Sequence, residues 1–347
     1  MANQTLTLLT NALSQELRPE VVRTINRTSV AMHLLRVVPG SGKNESWDIE
    51  TDGAVAETYT EGADVSNYGT DAVQPATLNR ARYRSNFSIT GDAQDAAMTS
   101  SSPAGLMRPV KRNFDNSLAR LSSFMNIDVY AGGGGNAMVG LDTALRDDNT
   151  YATIDRTNGD NAGFRGNLID PGTSTTVSID QIRRDIGDTI YTKSGDAVGQ
   201  VDIALCKPNI WYALAAKFDP GRRWTDSFKE MDLNRGRIVL NGSVEAILID
   251  GCYFIKDKDA TANRIYYLNS RYVEVVAFQQ VNDALWPKTS EMQEMDLNDG
   301  GGAMPFGLKV YEIARTGDAR KATLQIKPQL VVRRPNACGM RLNVSAS

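Results

Sequence analysis

The sequence predicts an α+β fold. Three observations carry that reading. One long helical signal, Pro109 to about Ala131, stands alone and ends in four consecutive glycines. Stretches with the period-two alternation of strands gather before and after it instead of alternating with helices. No βαβ repetition, heptad run or internal repeat crosses the chain, which removes the doubly wound and coiled-coil classes.

The elements follow in order. Leu6, Leu8, Leu9, Leu13 and Leu17 alternate with polar residues over 3–17, the pattern of a short amphipathic helix. Arg18-Pro19 interrupts it. A second helix is expected from Pro19, carrying Val22, Ile25, Val30, Leu34 and Leu35, stopping near Pro39-Gly40 with Val37-Val38 already extended. Next comes a two-stranded arm from about Glu45 to Ile89. Trp47, Ile49 and Thr51 alternate with Asp48, Glu50 and Asp52, and Tyr83, Ser85 and Phe87 alternate with arginines. Thr60 to Thr77, with Gly62, Gly69 and Pro75, reads as a mobile tip.

Pro109 disfavours a helix begun at Ser102-Pro103, so a short turn at 103–107 and a main helix over 109–131 are expected. Its apolar row is Val110, Phe114, Leu118, Leu121, Met125 and Val129. Roughly 23 residues would span about 35 Å. Gly132 to Gly135 cannot continue it. Leu141 to Gly166 looks irregular. Ser178-Ile-Asp-Gln181 is a capping box opening a helix with Ile179, Ile182, Ile186 and Ile190. Val201–Cys206 is a buried strand, Pro208 starts a helix through Trp211, Leu214 and Phe218, and Asn241-Gly242 is a tight-turn signal ahead of Val244–Ile249. Strands are expected at Tyr253–Lys256, Ile265–Leu268, Tyr272–Phe278, Leu308–Ile313 and Ala322–Arg333.

Charge and composition narrow the function. The 347 residues carry 38 basic and 41 acidic side chains, so general attraction to nucleic acid or anionic lipid is not expected. No apolar run approaches the ~18 residues of a membrane span. The first residues lack the basic and apolar regions of a signal peptide. Cys206, Cys252 and Cys338 lie far apart in apolar or turn contexts and read as reduced core thiols of a protein made in a cytoplasm.

Enzymatic chemistry is not supported. His33 is the single histidine and reads as structural, so no His-based metal cluster or hydrolase triad is available. Gly-Ser-Gly-Lys43 lacks the upstream Gly and the following Ser/Thr of a phosphate loop. The glycines at 132–134 follow a helix, not the strand of a dinucleotide fingerprint. Asp147-Asp148 and Asp257-Lys-Asp259 read as solvated turns. No cofactor and no metal is expected.

The arm is the informative feature. Its first half carries Glu45, Asp48, Glu50, Asp52, Glu57, Glu61, Asp64 and Asp71 with no Lys or Arg, and its return carries Arg80, Arg82 and Arg84 on alternate positions. A two-stranded hairpin alone is marginal in water. Another subunit is therefore expected to complete it, with Glu57, Glu61, Asp64, Arg80, Arg82 and Arg84 as the contact residues.

The order of parts, together with Tyr59-Thr-Glu-Gly62, Gly140-Leu-Asp142 and Leu324-Gln-Ile-Lys-Pro-Gln-Leu-Val-Val-Arg-Arg-Pro335, resembles the major capsid proteins of tailed bacteriophages, the Hong-Kong-97-like fold. The resemblance covers essentially the whole chain. It implies an N-terminal arm at 1–41, an extended hairpin loop at 42–91, a peripheral domain from 92–132 (with the spine helix) and 304–347, and an axial domain at 133–303. It implies pentamers and hexamers of one chain forming an icosahedral capsid around double-stranded DNA, in a virion, after synthesis in a host cytoplasm. The glycine joints Gly132, Gly133, Gly134, Gly135 and Gly300, Gly301 would be hinges serving both capsomers. A separate scaffolding protein, a portal, a decoration protein and non-specific contact with packaged DNA are the implied partners, with no membrane. Lys43 is the lone lysine at the loop's base, so the shell is expected to be held non-covalently. Alternatives are an encapsulin-type compartment shell and, from another class, a soluble α+β enzyme.

Overall fold

The computed structural model describes residues 29–40, 42–52, 58, 60–61, 72–90, 103–187, 201–217, 246–278, 308–313 and 320–346. The expected helix at 3–17, the Asn241-Gly242 turn and the glycines 300 and 301 lie outside these residues.

The spine of the fold is one helix, Pro103–Ala131, of 29 residues. It starts at Pro103, as a first-position proline favours, and continues through Pro109, against the expected break there. The carbonyl of residue 105 loses its intrahelical donor, but that defect falls within the first two turns, and the rest of the helix is held by packing. Phe114, Leu118, Leu121, Met125 and Val129 are all buried, which is the row the sequence marks out. The helix lies against strand Tyr83–Ile89 and the short helix Val30–Leu34.

That short helix corrects a second expectation. Ser29 is extended (φ −128°) and its side chain accepts from Met32 N, so the helix that carries Val30 and Leu34 begins at Val30; Pro19, Val22 and Ile25 lie outside the described residues. The chain then turns directly into strand Arg36–Gly40, which pairs in parallel with Val273–Phe278; Pro328–Val332 pairs antiparallel on that strand's other side.

A six-stranded sheet forms the second layer, in the order Ala246–Ile249, Cys252–Lys256, Ile203–Cys206, Ile265–Leu268, Gly339–Arg341, Asn167–Ile169. Its central strands are apolar on both faces. Ile203, Leu205, Tyr266 and Leu268 point into the core shared with the long helix, while Ala204, Cys206, Ile265 and Tyr267 join Ile210, Trp211 and Leu214 of helix Pro208–Lys217 in a second core. The outer hairpin turns at Asp250-Gly251, both with positive φ (49° and 84°), a two-residue turn unmarked in the sequence reading. The N-cap half of the expected capping box forms: Gln181 N donates to Ser178 Oγ at 3.2 Å at the start of helix Ile179–Arg184. The C-terminal part of the chain links the layers, since Val273–Phe278 joins Pro328–Val332 while Gly339–Arg341 returns to the larger sheet.

A third sheet, Lys309–Ile313, Arg320–Ile326, Tyr83–Ile89, carries the largest change from expectation. Tyr83–Ile89 pairs with Arg320–Ile326, not with the acidic strand. The acidic strand Asn44–Asp52 takes Ala72–Asn79 as its antiparallel partner instead. Residues 72–77, expected in the tip, are therefore ribbon. Alternation fixes which face a strand buries but not which partner it takes.

Among the described residues no helix is long and apolar enough to cross a membrane.

Candidate subunit-contact site

The ribbon Asn44–Asp52/Ala72–Asn79 leaves the body of the protein from a built base. Glu45, Trp47 and Ile49 face inward opposite Leu78, Ala76 and Gln74. Ile49, Ala76 and Leu78 are buried within the main core, and Trp47 packs on it. The base of the arm therefore has a core of its own subunit, against the expectation that nothing lies beneath it. Outward, Asp48, Glu50 and Val73 are exposed.

The crossing from ribbon to the next strand is stitched to three separate parts of the chain. Thr77 N donates to Ala152 O (2.8 Å), Ala81 N to Pro328 O (3.0 Å) and Arg82 N to Asn136 O (2.8 Å). Tyr83 completes the seam. Its hydroxyl donates to Asp128 Oδ2 at 2.7 Å and accepts from Met138 N at 2.8 Å, tying the strand to the end of the long helix and to the loop after it. Burial and the neighbouring Asp128 carboxylate push this phenol well up, so it remains protonated.

An ion triad sits beside Trp47. Arg333 Nη2 lies 2.8 Å from Glu45 Oε1 and 2.5 Å from Glu274 Oε1, and its guanidinium is 5.8 Å from the Trp47 ring. Burial alone would lower the Arg333 pKa, but the two carboxylates outweigh it and raise it. The triad joins the ribbon to the central strand Val273–Phe278 and to the residue that follows Pro328–Val332.

Under the ribbon lies a small module built on Arg156. This side chain is fully buried. Its guanidinium donates to Ala144 O (2.7 Å), Thr143 O (2.6 Å), Asn149 O (3.2 Å) and Asn149 Oδ1, and it lies 5.2 Å from the Tyr151 ring centre. Burial lowers its pKa to about 10, which leaves it charged at neutral pH. The module presents the turn Ala152-Thr153, both at positive φ (51° and 69°). Such a conformation is unfavourable for a β-branched residue. The turn aims the Ala152 carbonyl at Thr77, and Tyr151 stands between Trp47 (ring centres 6.5 Å) and Val332 N, from which its hydroxyl accepts.

A second polar cluster fastens the far end of the long helix. Asp257, expected in a solvated turn, is buried; it accepts from Tyr130 OH (2.8 Å), Asn126 Nδ2 (3.1 Å) and Asp259 N (2.9 Å). Asn126 also accepts from Ser29 Oγ at 2.6 Å and donates to Asp259 at 2.8 Å. These are anchoring contacts with every partner inside the chain. Among the described residues no group of three or more His, Cys, Asp or Glu is placed to hold a metal ion.

The expected contact residues fall as follows. Glu57 and Asp64 lie outside the described residues. Glu61 is exposed in a turn. Arg80 donates to Gly42 O at 3.2 Å, at the ribbon's root. Arg82 and Arg84 are exposed, and of the three arginines only Arg84 lies within a strand. The arginines therefore do not line the acidic strand. Sequence reasoning missed Arg333, Tyr83 and Asp257, whose partners are distant in sequence, and Arg156, whose partners lie only 7 to 13 positions away but in a stretch without periodicity. A charged residue inside an otherwise apolar strand end, as at Arg333 after Val331-Val332, was the one visible signal.

The four glycines have distinct roles. Gly132 N donates to Asp128 O, and Gly140 N donates to Gly132 O (2.8 Å). A Cβ on Gly132 would collide with the Met138 and Asp128 carbonyl oxygens. Gly134 and Gly135 have φ of 81° and 73°, which side chains rarely adopt.

No family profile matches the chain, and no curated protein matches it in sequence. Solved structures do match. The capsid asymmetric unit of cyanophage A-1(L) is 16% identical, with 91% of this chain and 92% of that chain covered at a TM-score of 0.66. The capsid of a native GTA particle is 11% identical, covering 90% and 89% at 0.56. Mycobacterium phage Adephagia gives 11% identity, 92% and 91% coverage, and 0.53. The chain has the α+β fold of these capsid structures along nearly its whole length.

Proposed function

We propose that this chain is a structural shell protein that assembles with copies of itself, as pentamers and hexamers, into an icosahedral capsid enclosing double-stranded DNA. The observation that carries the reading is agreement with a cyanophage capsid structure over 91% of this chain at a TM-score of 0.66.

The physical mechanism is directed docking. The ribbon's base fixes its direction, and its exposed carboxylates at Asp48, Glu50 and Glu61 approach a neighbour bearing the exposed Arg82 and Arg84. Opposite charges across copies steer encounter and set register. Glu57, Asp64 and Arg80 belong to the same contact set in this proposal. Gly132 to Gly135, with Gly300 and Gly301, act as joints between the peripheral part (92–132 with 304–347) and the axial part (133–303), so that one sequence serves two capsomers. Scaffolding, portal and decoration proteins are the expected partners in a virion.

Negative-stain microscopy of the purified chain tests the reading. Closed shells or capsomer rings are expected; a monodisperse monomer under all assembly conditions overturns it. Arg84→Glu and Arg82→Glu should each reduce particle yield while leaving the isolated subunit folded, and normal yield from both would remove the steering step.

A further inference from the structure

One face of the long helix is uncovered. Arg112, Asn116, Arg120, Phe124, Ile127 and Ala131 follow one another at helical spacing and are all exposed. Phe124 and Ile127 are 57% and 45% exposed, among the largest exposed apolar side chains described. The Tyr83 ring packs edge-on against Phe124 at 5.9 Å between centres. The stripe is thus basic toward its start, apolar toward its end, and carries no carboxylate. A partner must bring an apolar row and an acid, in that order along an antiparallel path.

We infer that residues 6–17 of the same chain occupy this stripe as an amphipathic helix. The chain enters the described structure at Ser29, whose hydroxyl donates to the buried Asn126 of this helix, level with Phe124 and Ile127 along the axis but on the inward face, so the linker has only to round the helix to reach the stripe. From Ser29 back to Leu17 an extended linker reaches about 40 Å, and the stripe from Ile127 to Arg112 is only about 22 Å long. The segment is therefore tethered within reach of its site at high effective concentration. Leu6, Leu9, Leu13 and Leu17, spaced by three and four residues, form one apolar row.

Charge fixes the direction. Glu16 and Glu20 are the sole acidic residues among the first 28. Seven residues separate Leu9 from Glu16, and seven separate Ile127 from Arg120. With the two helices antiparallel, Leu9 on Ile127 brings Leu13 to Phe124 and Glu16 to Arg120. A parallel arrangement would leave Glu16 beyond the apolar end with no basic partner on the stripe. This docking goes beyond the shell proposal and holds for a lone subunit whether or not copies form a capsid.

The test uses the full-length chain carrying Leu9→Cys and Ile127→Cys, oxidised after mixing unlabelled and ¹⁵N-labelled protein. The native cysteines are buried and remain spectators. A disulfide joining the two introduced residues within like-labelled chains is expected. Links joining light to heavy peptides would assign the stripe to a second copy and overturn the inference, as would no link at all. A second measurement needs no cysteine. Hydrogen exchange of amides 7–17 in the wild-type chain should be slowed at least tenfold relative to the free peptide, and Phe124→Ser with Ile127→Ser should abolish that slowing while the long helix stays protected. Unslowed exchange in the wild type, or slowing that survives the double substitution, refutes it.

Discussion

Arg156→Met is the sharpest probe of how the ribbon is held. Methionine has nearly the length of the arginine stem and packs in the same space, but it has no donors. The substitution would strip the charged partner from the carbonyls of Thr143, Ala144 and Asn149, all bonded to the guanidinium in the native chain. Each hydrogen bond to a charged group is worth about 1.5–3 kcal/mol, and a buried acceptor left unpaired costs about 1–3 kcal/mol. Relief from burying the charge offsets part of this. The net loss expected is about 3–5 kcal/mol, close to the upper range of single substitutions. Urea unfolding of the unassembled subunit measures it. Native-state hydrogen exchange adds the link to function, because Thr77 N, bonded to Ala152 O across the module, should open with it. Arg156→Lys, which keeps the charge but not the planar fork, should fall between. A loss under about 1 kcal/mol, or a Thr77 amide unchanged in protection, would show that the module does not support the ribbon.

Three further outcomes are expected. Asp257→Ala removes the acceptor shared by Tyr130, Asn126 and Asp259 N and should cost about 3–4 kcal/mol in denaturant unfolding, whereas Asp257→Asn, which keeps one carbonyl oxygen, should cost about half as much. Replacing the exposed Thr153 by Gly suits its positive φ and should stabilise the subunit by about 1 kcal/mol, read as a higher denaturation midpoint with unchanged slope. His33 is buried, its ring nitrogens have no hydrogen-bond partner among the described residues, and burial lowers its pKa to about 4. The unfolded chain binds that proton near pH 6.5, so this contribution to stability is complete above pH 6.5 and is lost as pH falls toward 4. The loss is about 1.4 kcal/mol per pH unit, roughly 3 kcal/mol in all. In His33→Leu the unfolding free energy should lack that slope between pH 6.5 and 4.5.

What the sequence made legible was periodic and local. The buried row Phe114 to Val129, the glycine stop after Ala131, the Ser178 cap and the central apolar strands all follow from spacing within one element. What it hid was partnership. The strand Asn44–Asp52 alternates equally well whether it pairs with residues 72–79 or 83–89, and only the rest of the fold decides. Asp257 looks like a turn carboxylate because its partners Asn126 and Tyr130 are 131 and 127 positions away. Arg156 sits in a string of polar residues that reads as solvated loop, and its burial is visible only once three carbonyls converge on it. Asp250-Gly251 was overlooked because the neighbouring Asn241-Gly242 offered a stronger turn signal.

The altered pairing strengthens the assembly argument instead of weakening it. Had the acidic strand folded against Arg80, Arg82 and Arg84, the two sets would neutralise each other within the subunit, and the ribbon would offer little to a neighbour. They are not paired with each other: Arg84 alone of the three lies within a strand, and that strand belongs to another sheet. Asp48 and Glu50 are exposed on the ribbon's outer face, while Arg82 and Arg84 are exposed along the seam to a strand paired with Arg320–Ile326. The inward charges are the ones already satisfied: Glu45 and Glu274 share Arg333 beside Trp47. The subunit thus uses its buried carboxylates to fix the direction of the ribbon and keeps the exposed ones at the surface. Exposed charges attract weakly across water and are screened beyond about 8 Å at physiological salt. In the proposed contact between copies their contribution would be to orientation and register at close approach.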